Sequence, residues 1–155
     1  MPDAIVIGSD HAGFLLKEKL KKALDRLGVP YDDVGTHGPE PVDYPDFAHR
    51  VAAAVEAGRH GRGIVVCGTG IGVSMAANRH RGVRAAVAYD EETARLSREH
   101  NDSNVLALGG RTLDHALAER ILEIWLKTPF SGGRHTRRVE KIELAKTEPP
   151  KSEPR

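Results

Sequence analysis

The chain has one cysteine, few aromatic residues, almost no net charge and no long apolar run, and each shortage removes a class of function. One thiol, Cys67, excludes an intramolecular disulfide and leaves that residue as either a buried apolar filler or a working thiol. Aromatic residues make up 5% of the sequence and the basic stretch is short, with no helix-turn-helix or RNA-binding signature, which argues against a nucleic-acid partner. A formal charge of +1 gives no strong whole-molecule field, so any selectivity for anions has to be local. No segment reaches the roughly 20 apolar residues that span a bilayer. The N-terminus "MPDAIVIGSDHAGF" lacks a basic region followed by a long apolar stretch. The expectation is a cytoplasmic protein with no membrane partner. The eight histidines form no H-x-x-x-H pair and meet no cysteine cluster, so no metal site is expected.

What is present is an alternation. Apolar β-type runs at Ala4–Gly8, Gly63–Gly68, Val83–Tyr89 and Asn104–Gly110 are separated by helical patterns, with "YDDVG" a weaker strand. In Phe14–Leu27 the apolar residues Leu16, Leu20, Ala23, Leu24 and Leu27 recur at spacings of three and four, and Gly28 is placed to stop the helix. Similar patterns cover Phe47–Ala57, Ser74–Arg79, Glu91–Arg98 and Leu113–Lys127, and "SGGRHTRRVEKIELAK" reads as a glycine-hinged basic helix. Nearly all-apolar strands between helices predict an α/β, Rossmann-like three-layer sandwich with a parallel sheet covered on both faces. The 155 residues are read as one domain, 1–146, followed by a Pro-rich tail, 147–155, too poor in apolar residues to fold.

Ligands of such sheets bind beyond the carboxyl ends of the strands, which directs attention to "GSDHAG", "CGTGIG", "YDEET" and "GGR". Gly68, Gly70 and Gly72 free the backbone of side chains where a strand turns into a helix, so several N–H groups can converge on one anion. The loop is not a dinucleotide fingerprint, because the third glycine of G-x-G-x-x-G falls on Val73. It is not a P-loop either, because no Lys-Ser or Lys-Thr follows. A thiol just before a helix N-terminus is set up as a base, since the positive dipole end favours the thiolate. Beside backbone donors, such a base suits proton abstraction from carbon next to a carbonyl, through an enediolate. Asp10 and His11 follow the first strand, although Asp10 could equally be a helix cap. His100 and Asn101 stand between a helix and a strand, where His100 is either a general acid or an idle loop residue. Arg134 and Arg138, four apart, share a helical face suited to clamping phosphate, unless the helix is simply a solvated basic one, and Arg111 adds a third positive group.

Taken together, "GSDHAGF", "DYPDFA", "CGTGIGVSMAANRHRGVRAA", "REHNDSNVLALGGR" and "GGRHTRRV" resemble the type B ribose-5-phosphate isomerase family, within a wider group that includes galactose- and allose-6-phosphate isomerases. The resemblance runs from Ile5 to Val139. It implies a Rossmann-like sandwich without a dinucleotide, no metal, and interconversion of ribose 5-phosphate and ribulose 5-phosphate. By the same resemblance Cys67 matches the base, and Gly68, Thr69, Gly70, Ile71 and Gly72 match the loop that holds the enediolate, with Thr69 as its hydroxyl residue. His100 matches the ring-opening acid, helped by Asp10. Asn101 matches a substrate contact, while His11, Arg111, Arg134 and Arg138 match the phosphate and substrate binders and Tyr44 lines the site. The implied assembly is a homodimer or tetramer with sites shared between subunits, His100, Asn101 and Arg111 coming from the neighbour. One branch of the family uses Glu as base a few residues on; here Val73-Ser74-Met75 carries no carboxylate, which matches the Cys branch. Other readings are an isomerase of allose 6-phosphate, galactose 6-phosphate or a tetrose phosphate, a non-catalytic nucleotide-binding module, and a thiol acyltransferase.

Overall fold

The computed structural model describes residues 3–145, and the expected alternation is there: β1 (Ile5–Ser9), α1 (Phe14–Leu27), β2 (Tyr31–Asp33), α2 (Tyr44–Glu56), β3 (Gly63–Cys67), α3 (Ile71–Ala77), β4 (Ala85–Val87), α4 (Glu91–Glu99), β5 (Val105–Gly109), α5 (His115–Lys127) and α6 (Arg134–Glu140). The five strands form one all-parallel sheet in the order β2-β1-β3-β5-β4. Apolar side chains on both faces of β1, β3 and β5 leave no room for water, so helices cover both. Ile5, Ile7, Ile64, Val66, Leu106 and Leu108 pack under α1, α4 and α5. Val6, Val65, Val105 and Ala107 pack under α2 and α3. The chain reverses its direction of travel across the sheet after β2, so α1 and α2 lie on opposite faces and a crevice opens above β1 and β3.

The helices follow their apolar stripes. α1 buries Leu16, Leu20, Ala23 and Leu24 and stops at Gly28, whose φ of 70° breaks the helical path while its N–H donates to Asp25 O at 3.1 Å. Two helices begin three residues earlier than their periodicity predicts. α2 starts at Tyr44 because Pro45 occupies the first turn, where its fixed φ fits and no N–H is needed. α3 starts at Ile71 because Gly70, at φ 81°, turns the chain straight out of the loop and into the helix. β4 is shorter than the apolar run Val83–Tyr89 suggests, since only Ala85–Val87 pair with β5.

The turn between α4 and β5 is fixed from below. Trp125 of α5 is fully buried and its Nε1–H donates to Ser103 Oγ at 2.8 Å, while Ser97 Oγ lies 3.0 Å from the same oxygen. Arg98, also buried, donates to Ser103 O at 2.6 Å, Asp102 Oδ1 at 2.9 Å and Thr128 O at 3.1 Å. Truncating a buried Trp of this kind costs about 3–5 kcal/mol, and here it would also release the turn that carries His100 and Asn101. The expected tail, 147–155, lies outside the described residues. Among the described residues no helix is long and apolar enough to cross a membrane.

Candidate active site

The carboxyl edge of the sheet is built largely from backbone. β3 ends on Cys67, which is buried, and Gly70 folds back so that its N–H donates to Cys67 Sγ at 3.2 Å. Ile71 N–H donates to Thr69 Oγ1 at 3.2 Å, which steers the hydroxyl over the start of α3. The N–H groups of Gly68 and Thr69 have no partner among the described residues and remain available to an anion. A strand and a helix press on this loop: a Cβ on Gly70 would lie 3.0 Å from Leu108 C of β5, and one on Gly72 would lie 2.7 Å from the Tyr44 ring of α2. The glycines therefore let Tyr44, at the start of α2, close over the loop.

β1 and β5 supply the rim. Asp10, nearly buried, accepts the Gly13 N–H on Oδ1 at 2.9 Å, so its capping role is real and occupies one of its two oxygens. His11 Nδ1 accepts the Val42 N–H at 3.1 Å. Arg111 N–H donates to Gly68 O at 3.0 Å, and the Arg111 side chain reaches to 3.6 Å from a Cβ built on Gly68. Arg111 thus stands beside Cys67 of its own chain. This corrects the expectation that a neighbouring subunit brings it there: residue 111 follows β5 at the same edge as the end of β3.

His100 and Asn101 lie elsewhere. α4 runs antiparallel to the strands, so its end reaches the amino edge of the sheet, where Asn104 O accepts the Gly63 N–H at 2.9 Å at the start of β3. Cys67 is at the other end of that strand, about 13 Å away at 3.3 Å per residue. α6 joins this second group. His135 stacks on His100 with ring centroids 4.3 Å apart and planes at 15°, and His100, Asn101, His135, Arg138, Val139 and Ile142 line a cavity of about 280 Å³. Partial removal from water, then the positive neighbours His100, Arg134 and Arg138, hold the His135 imidazole below the usual histidine range, against the opposite pull of Glu99. Arg134 opens α6 but is not among the residues lining that cavity. A larger cavity of about 620 Å³ shares Asn101 and Ile142 with it and is edged by Arg79, Arg81 and Arg84.

The structure therefore gathers Asp10, His11, Tyr44, Cys67, Gly68, Thr69, Gly70, Ile71, Gly72 and Arg111 at one edge, and His100, Asn101, Arg134 and Arg138 at the other. Two participants carried no signal in the sequence: His135 meets His100 only through tertiary packing, and Val42 acts through its backbone. Among the described residues no group of three or more His, Cys, Asp or Glu is placed to hold a metal ion.

A parallel sheet that reverses its strand order beside a thiol and free backbone donors belongs to the class of α/β enzymes that act on small anionic molecules. Comparison with known proteins narrows the class. The chain belongs to the Ribose/Galactose Isomerase family, whose model matches residues 5–142. It is 47% identical over 138 residues to ribose-5-phosphate isomerase B of Escherichia coli, covering 89% of this chain and 93% of that one. The solved structure of ribose-5-phosphate isomerase B from Clostridium thermocellum matches with a TM-score of 0.88 and 54% identity, covering 90% of this chain and 94% of the other. The enzyme of the same name from Mycoplasma genitalium, solved with bound ribulose-5-phosphate, matches with a TM-score of 0.86 and 42% identity, covering 90% and 93%.

Proposed function

We propose that this chain interconverts ribose 5-phosphate and ribulose 5-phosphate through an enediolate, as a cytoplasmic enzyme of pentose phosphate metabolism whose sites are shared between two copies. The observation that carries the reading is Cys67 Sγ at the mouth of the glycine loop, 3.2 Å from the Gly70 nitrogen, in a chain so similar to named ribose-5-phosphate isomerases. In the proposed reaction His100 gives a proton to the ring oxygen while Asp10 takes the proton of the anomeric hydroxyl, which opens the furanose to the aldehyde. Cys67 thiolate then removes the proton on C2, and the electron pair moves through the new C1–C2 double bond onto the carbonyl oxygen. The free N–H groups of Gly68 and Thr69 stabilise that oxyanion, with the Thr69 hydroxyl beside them. Transfer of the O2 hydroxyl proton to O1 moves the negative charge to O2, and as the C2=O double bond forms, return of the carbon-bound proton from Cys67 to C1 yields the ketose and restores the thiolate. His11, Arg111, Arg134 and Arg138 hold the phosphate and the sugar hydroxyls, and phosphate binding far from C1 and C2 helps to position the reacting carbons.

Separation of Cys67 from His100 by a strand length supports a shared site, because one copy's carboxyl edge then needs another copy's amino edge. A homodimer, alone or paired into a tetramer, satisfies this. The test is turnover of ribose 5-phosphate by purified, chelator-treated protein beside allose, galactose and tetrose phosphates. Conversion of the pentose without added metal is expected. Preference for another phosphorylated sugar would keep the mechanism and change the substrate, whereas nucleotide binding without any isomerisation would overturn the enzyme reading.

A further inference from the structure

The segment between β2 and α2, residues 34–43, crosses the rim of the candidate site, is rich in Gly and Pro and exposes half of its residues, yet it is anchored by a buried charge pair. Lys17, on the first turn of α1, has a side chain with no exposed surface. Its Nζ donates to Asp33 Oδ1 at 2.6 Å, Asp33 Oδ2 at 2.7 Å and Thr36 O at 2.6 Å. Asp33 also accepts the Gly35 N–H at 2.9 Å and Lys21 Nζ at 2.9 Å. Burial opposes ionisation of Asp33, but the donors from Lys17, Gly35 and Lys21 outweigh it and hold the carboxyl below its usual range. The end of β1 grips two residues of the same turn: Ser9 N–H donates to Gly35 O and Thr36 N–H donates to Ser9 O, both at 2.7 Å.

A buried ion pair is a poor source of net stability, since an apolar pair of similar volume fills the space without removing charge from water. What it does supply here is direction, because Lys17 Nζ is aimed at Asp33 and Thr36 O while Asp33 Oδ1 holds the Gly35 N–H, which ties the 33–36 turn to α1. Six residues past Thr36 the same segment delivers the Val42 N–H to His11 Nδ1 at 3.1 Å, and two residues later Tyr44 begins α2. With Nδ1 accepting, the ring hydrogen of His11 sits on Nε2, and Nε2 has no partner among the described residues. An Nε2–H is a donor, which suits a phosphate or sugar oxygen. Were the segment to shift, the hydrogen could move to Nδ1 and turn a lone pair toward the anion.

We infer that Lys17 and Asp33 are positioning residues for substrate binding: they fix the 34–43 segment so that the Val42 N–H holds His11 as the Nε2–H donor. The inference rests on the proposed role of His11 in gripping the sugar phosphate. Lys17→Met is the direct variant, because it keeps side-chain volume and leaves Asp33 paired with Lys21. Nitrogen-15 NMR of the histidine rings, run with and without inorganic phosphate, should show His11 of the wild type with its hydrogen on Nε2 and Lys17→Met with both tautomers. Kinetics on ribose 5-phosphate should show KM raised about tenfold, with kcat within about threefold of wild type. A wild-type ring protonated on Nδ1, or a folded Lys17→Met with unchanged tautomer and KM, overturns the inference. If Lys17→Met does not fold, Val42→Pro removes the N–H while leaving the buried pair intact. It should give the same KM rise, and an unchanged KM there overturns the inference as well. Wild-type protein that turns over no sugar phosphate contradicts the isomerase reading alone, and the tautomer comparison still decides this one.

Discussion

At the carboxyl edge of the sheet, the candidate site is built from backbone: Gly70 at φ 81° folds an N–H onto Cys67 Sγ, and the glycines of the loop admit the Tyr44 ring and the backbone of β5 at distances tighter than a side chain would accept. At the amino edge, the candidate site is built from side chains, with His100 stacked on His135 and Arg138 beside them on a seven-residue helix that buries nothing. The first group is rigid because neighbouring strands enclose it. The second is braced from below by Trp125 and Arg98, but Asn101, Arg134 and Arg138 face outward, an arrangement that makes chemical sense when something else supplies the missing partner. On the proposed mechanism, a half-site made of backbone fixes where charge is stabilised, and a half-site made of cations and histidines fixes what is brought to it.

Substitutions at each edge can break or sharpen this contrast. Cys67→Ala removes the proposed base while leaving the backbone loop, so kcat should fall by about three orders of magnitude with phosphate binding retained; unchanged turnover in a rate assay would sink the mechanism. At the amino edge, Arg138→Ala should raise KM by about ten- to a hundredfold, the worth of a hydrogen bond to a charged group, with little change in kcat. A KM close to wild type would show that the cationic edge is not the phosphate clamp. Gly72→Ala tests the enclosure of the loop with the smallest push: its new Cβ would lie 2.7 Å from the Tyr44 ring, which is partly exposed and can swing away. A loss of kcat/KM of about fivefold is expected, measured beside a melting temperature to separate fold from site.

The same contrast explains what was legible in the amino-acid sequence. Apolar runs at β1, β3 and β5 are nearly continuous because both faces are buried, so the parallel sheet could be read directly. The order of its strands could not, because β5 lies between β3 and β4 through crossovers that leave no local pattern. The glycine loop was readable since its function resides in residues adjacent in the chain. Helix starts at Tyr44 and Ile71 were missed because Pro45 and Gly70 set them by backbone geometry, ahead of the apolar stripe. His135 and Val42 left no trace, one being a histidine among arginines and the other acting only through its N–H. Lys17 left a faint one: it sits three residues before Leu20, on the phase of α1 that turns inward, where a lysine needs a buried partner.

The central claim is that a working site needs the carboxyl edge of one copy and the amino edge of another, and subunit complementation tests it most directly. Cys67→Ala and His100→Ala chains, each inactive alone, are unfolded together, refolded and assayed on ribose 5-phosphate. In a shared-site dimer, half of the random assemblies are mixed, and each mixed dimer holds one site with both residues intact, so about a quarter of wild-type activity should return. If mixing restores nothing, Cys67 and His100 must act within one chain, and the two-edge account is contradicted.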